Sequence, residues 1–321
     1  IKIFIMRKKL LTLFAISCFG FYSMAQTSDE IADGKSLIEA YVSPLGNSLG
    51  AALNNGWYNT AKPHHLGGFD ITITANLVLV PTDAKTFNIT GSNNGTFNGV
   101  EGSENTPTIL GNTTAGKATY NGTKFDMPKG LNIPLLPIPM LQAGIGLIKN
   151  TEIDVRFMPE IEMKGVSTDL FGIGVKHDIL QWLPIVDKIP IDVSFQAGYT
   201  KLNSQVMLEY DVNGVGKNAE AALDIRATTF NILLSKKIAM LTAYAGLGYN
   251  STKTTFNVDG EYNIAGLNFD VNELTEFEFE SNNNLRANVG FRFQLAVLAI
   301  QANYTFSEYP VATVGLGISI R

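Results

Sequence analysis

Three histidines are the side chains of this sequence best suited to acid–base or metal chemistry. His64 and His65 stand shortly before Asp70, and His177 is followed directly by Asp178. A histidine beside a carboxylate can act as a general base, and two such pairs could share a metal ion, but either use requires the pairs to converge in space. No nucleophile elbow, phosphate loop or paired metal motif accompanies them. We therefore expect solvated or capping histidines, with no catalytic residue, no metal and no cofactor.

The elements that must position these residues are β-strands. In Phe69–Val80, Glu152–Glu162 and Leu285–Gln294 apolar residues alternate with polar ones, which gives each strand one apolar and one polar face. A transmembrane β-strand needs about 9–11 residues of this kind. The apolar parity shifts between Ile225 and Phe230, which predicts a bulge or a strand that leaves the bilayer partway. The predicted strands are Phe69–Val80, Leu141–Ile148, Glu152–Glu162, Leu170–Lys176, Ile191–Lys201, Leu223–Ser235, Ala239–Asn250, Leu285–Gln294, Leu298–Phe306 and Ala312–Arg321.

The connections favour a membrane barrel over a soluble β-sandwich, which strand alternation alone would also fit. Short joints alternate with longer ones, of which Pro81–Met140, Leu202–Ala222 and Ser251–Asn284 are the longest. Outer-membrane barrels have this asymmetry, with short periplasmic turns and longer extracellular loops. The predicted fold class is therefore all-β, an antiparallel transmembrane β-barrel over residues 69–321. We expect about ten membrane strands, or 12–14 if strand-like stretches in the two later connections are included.

The N-terminal residues predict export. A basic cluster at Arg7–Lys9 is followed by a nearly unbroken apolar run, Leu10–Tyr22. This run is too short to span a bilayer as a helix and is typical of a signal peptide. The small residues on both sides of Met24 place cleavage after Ala25, so residues 1–25 are the predicted signal peptide.

Composition removes several classes of function. The one cysteine, Cys18, lies in the predicted signal peptide, which leaves the rest of the chain without disulfide or thiol chemistry. Cleavage just before Cys18 would instead give a lipoprotein. Asp and Glu number 29 against 24 Lys and Arg, and no basic cluster follows the signal peptide. We therefore expect no nucleic-acid partner.

Residues 26–68, between the signal peptide and the first strand, differ in kind from the rest. Four apolar residues there have helical spacing: Ile31, Leu37, Ile38 and Tyr41. They predict an amphipathic helix that ends at Pro44, with a second short helix over Leu45–Asn54. If the segment plugs the barrel, these four residues are its docking face. A periplasmic lid and a structural cap are the alternatives.

Charged residues of the predicted strands fall on the polar face, which lines the lumen of a barrel. Such charges could select a solute in an open pore, or could brace a filled lumen as ion pairs. Ten strands enclose little more than side chains, so the strand number bears on this choice. The predicted lumen-facing charges are Glu152, Asp154, Arg156, Glu160, Lys176, Asp192, Arg286 and Arg292.

Several short runs resemble a known family. They are Tyr41–Pro44, Leu53–Trp57, Gly68–Asp70, Gly172–Asp178 and Trp182–Pro184. Together they resemble an uncharacterised family of Gram-negative outer-membrane barrels that carries only a domain-of-unknown-function label. The chain is more distantly similar to the long-chain fatty-acid outer-membrane transporters, whose barrels have an N-terminal hatch. No motif of those transporters matches here, so no site residue is transferred from them.

These observations predict a non-enzymatic outer-membrane protein, exported through the inner membrane by its cleaved signal peptide. The leading hypothesis is a channel or transporter for a hydrophobic or small amphiphilic compound, gated by residues 26–68. The alternatives are a non-conducting structural or surface-interaction barrel and a barrel enzyme that hydrolyses lipid or peptide. The expected partners are outer-membrane lipid and lipopolysaccharide, the barrel-assembly machinery and a hydrophobic small molecule.

Overall fold

The computed structural model describes residues 28–89, 97–99, 104–120, 123–163, 166–182, 190–208, 217–264, 267–270, 276–281 and 285–320. The predicted signal peptide lies outside the described residues. Within these ranges, no helix combines the length and the hydropathy that a membrane span requires.

The described elements comprise one α-helix, two short 3-10 helices and the strands of three sheets. The helices are α1 (Ser28–Leu53) and the 3-10 helices at Asp83–Lys85 and Leu180–Trp182. The strands are β1 (Phe69–Leu79), β2 (Thr86–Asn88), β3 (Phe97–Gly99), β4 (Asn105–Pro107), β5 (Lys117–Tyr120), β6 (Thr123–Asp126), β7 (Leu135–Leu147), β8 (Thr151–Met163), β9 (Val166–Asp178), β10 (Asp192–Leu208), β11 (Lys217–Ile238), β12 (Leu241–Ile264), β13 (Leu267–Asp270), β14 (Glu276–Ser281), β15 (Leu285–Leu295), β16 (Leu298–Phe306) and β17 (Val311–Ile320).

Ten of these strands close into one antiparallel barrel. The order around the wall is β1, β7, β8, β9, β10, β11, β12, β15, β16 and β17, and β17 pairs with β1. The short strands β13 and β14 pair with β12 only. A closed sheet leaves no unpaired strand edge in the membrane, as hydrocarbon requires. The predicted fold class, an antiparallel barrel of about ten membrane strands, is confirmed.

The two faces of the wall have opposite polarity. In β1 the outward residues Phe69, Ile71 and Ile73 are 39 to 62% exposed, whereas the inward Asp70 and Thr72 are buried. A soluble sandwich would bury the apolar face, so this arrangement excludes that alternative. An outward apolar belt suits a barrel in lipid.

The two ends of the barrel differ in their connections. At one end, called the turn end, the connections are residues 148–150, 239–240 and 296–297. Each of these turns contains a non-glycine residue with a positive φ of 46 to 55°. At the opposite end, called the loop end, residues 80–134 connect β1 to β7 and include β2 to β6.

Other connections depart from the predicted lengths. β10 and β11 continue as a paired extension at the loop end, so much of the interval predicted as a loop, Leu202–Ala222, is strand. β12 likewise continues to Ile264 and pairs with β13 and β14. The strand-like stretches of the sequence are therefore extensions and add no strand to the barrel. Residues 164–165 alone separate β8 from β9 at the loop end, whereas residues 179–191 separate β9 from β10 at the turn end.

Two strands interrupt simple alternation, for different reasons. In β11 the pairing with both neighbours is unbroken between Ile225 and Phe230, so no bulge explains the parity shift there. Ile225 points inward because the lumen is apolar at that height. In β8 the register shifts between Met158 and Ile161, and Glu160 is exposed instead of facing the lumen. The bulge at this point rotates the end of β8 relative to its lower part.

Helix α1 is one continuous helix in the loop-end half of the barrel. The predicted break at Pro44 and the separate helix over Leu45–Asn54 are wrong, because Pro44 lies in the interior of α1. A proline there removes a backbone hydrogen bond and costs about 3 kcal/mol. Burial of Tyr41, Val42 and Leu53 against the wall offsets this cost. Residues 54–65, called the lumen segment, then lead toward the turn end, where the chain reverses into β1.

Candidate functional site in the barrel lumen

Helix α1 fills the loop-end half of the lumen through apolar contacts. Two glycines of the helix allow this close packing. A Cβ atom added at Gly46 would lie 2.6 Å from a carbon of Phe279, and one added at Gly50 would lie 2.3 Å from a carbon of Thr252. The buried apolar residues that the wall and its loop-end extensions contribute to this cluster include Val78, Leu136, Ile138, Met140, Leu170, Leu202, Ile225, Phe256 and Phe279. This half of the lumen is therefore an apolar, packed core.

The C-terminal end of α1 lies in the lumen, where arginines of the wall bind its free carbonyls. The last carbonyls of a helix lack intrahelical partners and carry the negative end of the helix dipole. The last turn of α1 has no basic residue of its own. Arg156 donates to the carbonyls of Leu53 and Asn55 at 2.8 and 2.7 Å. Arg286 donates to the carbonyl of Asn54 at 2.6 Å, so two cations of the wall cap the helix.

Trp57 lies in a niche formed by three glycines of β9 and β10. Its residue exposure is 1%. A Cβ atom added at Gly172, Gly174 or Gly198 would lie 3.3, 2.8 or 2.5 Å from the nearest carbon of the indole. The guanidinium of Arg156 lies 3.7 Å from the centre of the same ring, in cation–π contact. At this height the wall and the lumen segment are therefore complementary in shape.

Closer to the turn end, polar side chains of the wall form hydrogen bonds with the lumen segment. The Tyr58 hydroxyl donates to Asn288 at 2.9 Å. The Thr60 and Ser235 hydroxyls lie 3.2 Å apart, and the backbone N–H of Ala61 donates to Ser235 at 3.1 Å. Residues 54–65 are irregular and pair with no strand, so wall side chains supply partners that their backbone and side chains need.

His64 lies near the end of the lumen segment, among carboxylates of the wall. Its Nε2 is 3.5 Å from Asp70 Oδ1 and 4.0 Å from Glu152 Oε2, and its backbone N–H donates to the same Glu152 oxygen at 2.7 Å. Lys176 Nζ lies 2.7 Å from Glu152 Oε1. One ligand atom from each of His64, Asp70 and Glu152 lies within 4.8 Å of the other two, and all three residues are buried. A small polar cavity adjoins them.

The structure places the predicted lumen charges at three kinds of position. Six are buried in the lumen: Glu152, Asp154, Arg156, Lys176, Arg286 and Arg292. Asp192 is half-buried and accepts a hydrogen bond from Ser235 at 3.3 Å. Glu160 is exposed and accepts a hydrogen bond from Ser167. Five of the six buried charges fall into two groups, one around the end of α1 and one around His64, and Arg292 donates to Asn59.

The predicted docking residues of α1 are also divided. Tyr41 and Ile38 belong to the apolar cluster between helix and wall, and the Tyr41 hydroxyl donates to the carbonyl of Lys129 at 2.9 Å. Leu37 packs instead with Ile89, Ala118 and Met127 of the β1–β7 connection. The side chain of Ile31 lies outside the described residues.

Two residues with many lumen contacts, Trp57 and His64, were not predicted as site residues. Trp57 has no neighbour in sequence that predicts its niche, although Gly172 and Gly174 stand on the polar parity of a strand. His64 was expected to be solvated or to cap a chain end, and it is buried at 2% exposure. Its partners are Asp70 of β1, which is close to it in sequence, and Glu152 of β8, which is far from it in sequence.

Comparison with protein families fits this architecture. The profile of a family of unknown function, DUF6588, matches residues 6–320 of the chain. The chain belongs to the DUF6588 family. The resemblance of the sequence to a domain-of-unknown-function family of outer-membrane barrels is thereby confirmed. No curated protein sequence matches this DUF6588 chain.

Solved structures that align with this DUF6588 protein include outer-membrane barrels of differing function. The translocator domain of the autotransporter NalP from Neisseria meningitidis is 12% identical with a TM-score of 0.34, and the alignment covers 92% of this chain and 100% of that one. The outer-membrane protease OmpT from Escherichia coli is 8% identical with a TM-score of 0.36, with 83% and 100% covered. The toluene transporter TbuX from Ralstonia pickettii is 8% identical with a TM-score of 0.28, with 86% and 98% covered. Likeness at this level carries no argument about function.

Proposed function

We propose that this outer-membrane-type barrel is a non-enzymatic structural or surface-interaction protein whose lumen is closed by its own N-terminal segment. In this proposal the lumen segment is a permanent part of the fold. The barrel holds the start of α1 and the β1–β7 connection at the outer face of the outer membrane. The observation that carries the proposal is the fit of Trp57 into the niche of Gly172, Gly174 and Gly198.

The glycine niche favours a permanent element over a removable plug. Glycine weakens a strand because it loses much backbone entropy on folding and packs no side chain. Three inward glycines on two adjacent strands are therefore costly unless something fills the space above them. Trp57 fills it, and its withdrawal would leave a cavity in the wall lining and remove the stacking partner of Arg156. Such a cavity costs several kcal/mol, on the order of a Trp-to-Ala change in a core.

The capping of α1 supports the same proposal. Withdrawal of the segment would break the hydrogen bonds that Arg156 and Arg286 donate to the helix end. Each hydrogen bond from a charged donor contributes about 1.5–3 kcal/mol. The penalty for opening is thus spread over several bonds, which makes a spontaneously open state rare.

The position of His64 supports a non-enzymatic role. Its imidazole and the Asp70 carboxylate lie inside the lumen, which α1 and the lumen segment occupy above them. A hydrolase acting on lipid or peptide needs a dyad that its substrate can reach. The outward face, where lipid would lie, is apolar in β1 and carries no such pair there.

A second candidate function is gated passage of a hydrophobic or small amphiphilic compound. The apolar lining of the loop-end half favours this candidate. Withdrawal of α1 would expose Leu170, Leu202 and Ile225 as an apolar pathway through the lumen. This candidate requires the segment to move. The permanent-segment proposal requires that it stay.

A disulfide lock separates the two candidates. The Thr60 and Ser235 hydroxyls are 3.2 Å apart, so Thr60→Cys/Ser235→Cys should cross-link the segment to the wall. The matched control is Thr168→Cys/Ser204→Cys, whose hydroxyls are 3.0 Å apart and which joins two wall strands only. We expect equal entry of a fluorescent hydrophobic probe into proteoliposomes with the oxidised lock, the reduced lock and the control. Entry that the oxidised lock alone abolishes, and that a reductant restores, would establish gated transport instead.

A further inference from the structure

Neighbouring strands aim carboxylates at one space in the turn-end half of the lumen. Gly144 of β7 pairs with Asp70 of β1 on one side and with Asp154 of β8 on the other. Because Gly144 has no side chain, the carboxyl groups of both aspartates can lie over it. A Cβ atom at Gly144 would lie 2.5 Å from Asp70 Oδ1, 2.7 Å from Asp154 Oδ1 and 3.6 Å from Glu152 Oε1. Oxygens of three carboxylates therefore converge above one glycine.

A second glycine of β7 brings His64 to this space. A Cβ atom at Gly146 would lie 2.0 Å from the carbonyl oxygen of His65 and 2.5 Å from that of His64, so only glycine lets the segment lie against β7 here. Backbone hydrogen bonds between Gly146 and residues 67 and 68 fix this approach. The imidazole of His64 then faces Asp70 and Glu152.

The carboxylates are not fully satisfied by their neighbours. Asp70 is 8% exposed and Asp154 is 1% exposed. Asp70 Oδ1 and Asp154 Oδ2 make no hydrogen bond in the described part of the chain, and the imidazole Nε2 of His64 lies 3.5 Å from Asp70 Oδ1. Lys176 pairs with Glu152. Buried carboxylate oxygens without partners are costly, and a bound cation would remove that cost.

We infer that His64, Asp70 and Glu152, with Asp154 beside them, form a binding site for a divalent transition-metal ion, with zinc as the preferred ion. One imidazole nitrogen and carboxylate oxygens are ligands that zinc accepts. In a tetrahedral zinc site with bonds of about 2.0–2.2 Å, ligand atoms lie about 3.3–3.6 Å apart. The two distances from His64 Nε2 are 3.5 and 4.0 Å, and all three ligand atoms lie within 4.8 Å of one another, so the side chains would close by up to about 1.5 Å around the ion. Calcium takes six to eight oxygen ligands, whereas here an imidazole nitrogen is one of the ligands, Glu152 Oε1 pairs with Lys176 and Asp154 Oδ1 accepts from Gln142.

Local charge also favours a cation. Three carboxyl groups, of Asp70, Glu152 and Asp154, share this buried region with the two cations Lys176 and Arg156. Bound metal would join the lumen segment, through His64, to two strands of the wall. The inference does not depend on whether the lumen conducts, because the site lies where the segment meets the wall.

The test measures metal binding to the full chain, purified in detergent and stripped with a chelator. Titration with Zn²⁺ should show one site per chain, while Mn²⁺ should bind more weakly, as the general affinity order predicts, and Ca²⁺ should not bind. His64→Ala and Asp70→Asn should each weaken Zn²⁺ binding at least tenfold. The control His65→Ala changes the exposed neighbouring histidine and should bind as the unaltered chain does. No stoichiometric Zn²⁺ binding, or full binding by His64→Ala, would overturn the inference.

A second measurement keeps the test decisive if a variant fails to fold, which heat-modifiable gel mobility will reveal. The unaltered chain loaded with Mn²⁺ at saturating concentration can be studied by pulsed electron paramagnetic resonance. We expect a ¹⁴N coupling from one imidazole. A Mn²⁺ spectrum with no nitrogen coupling would place the ion on carboxylates elsewhere and contradict the site.

Discussion

The two halves of the lumen are filled in different ways. In the loop-end half a helix packs against inward apolar residues, such as Leu170 and Ile225. In the turn-end half an irregular segment is held by polar side chains, such as Asn288 and Ser235. The difference follows from the backbone. A helix satisfies its own hydrogen bonds and needs only apolar contact, whereas an irregular chain that pairs with no strand needs donors and acceptors from the wall.

The boundary between the halves lies at the end of α1. Its last carbonyls are the first backbone groups in the lumen without helical partners, and Arg156 and Arg286 bind there. Trp57 follows directly, with Arg156 over its ring. Perturbing this boundary should therefore cost more stability than perturbing either half.

The largest effect is expected from Trp57→Ala. It removes a fully buried indole and leaves the glycine niche empty, which should lower the free energy of unfolding by about 3–5 kcal/mol. The control Trp182→Ala removes a side chain that is 61% exposed and donates one hydrogen bond to His177, so about 1 kcal/mol is expected. Urea titration of both variants in micelles measures the difference. Equal costs would mean that Trp57 does not lie in a packed niche.

A smaller effect is expected from Arg286→Leu. This change removes the donor to the Asn54 carbonyl and should cost about 1.5–3 kcal/mol. Arg226→Leu is the matched control, since its side chain is 53% exposed in an ion pair with Asp224 and such pairs contribute about 0–1 kcal/mol. The same titration compares them. If Arg226 proves the more costly position, the wall arginine does not cap α1.

The smallest effect distinguishes two buried threonines near the boundary. The Thr229 hydroxyl donates to Asn250 at 2.8 Å, whereas the Thr200 hydroxyl makes no hydrogen bond among the described residues. Thr229→Val should cost about 1 kcal/mol, because it leaves the Asn250 oxygen without its donor. Thr200→Val should be close to neutral, because Val keeps the shape of Thr and removes a buried hydroxyl that has no partner among the described residues. A larger loss at Thr200 would show that its hydroxyl is paired in solution.

The sequence predicted the wall well because strand alternation is a local signal. Every one of the ten predicted strands overlaps a strand of the barrel. Strand ends were less predictable, since β10, β11 and β12 continue to pair with one another in the loop-end extensions. Glu160 was wrongly predicted to face the lumen because β8 has a bulge there. The bulge depends on pairing with β9, which the residues of β8 alone do not encode.

The contents of the lumen were harder to predict because they depend on contacts between distant residues. The niche of Trp57 exists because Gly174 pairs with Gly198 across two strands, a register that no local pattern gives. Pro44 predicts a helix end by its own chemistry, and burial of its neighbours overrides that preference. His64 meets Asp70 and Glu152 because Gly146 lets the segment approach the wall.

The central claim is that the lumen segment is a permanent part of the fold. Hydrogen–deuterium exchange of the folded full chain in micelles tests it most directly, residue by residue. The account predicts that the amides of Ala61 and His64, which donate to Ser235 and Glu152, exchange as slowly as amides of the neighbouring strands β8 and β11. Exchange of these two amides as fast as in the connections at the loop end, while β8 and β11 stay protected, would contradict the account.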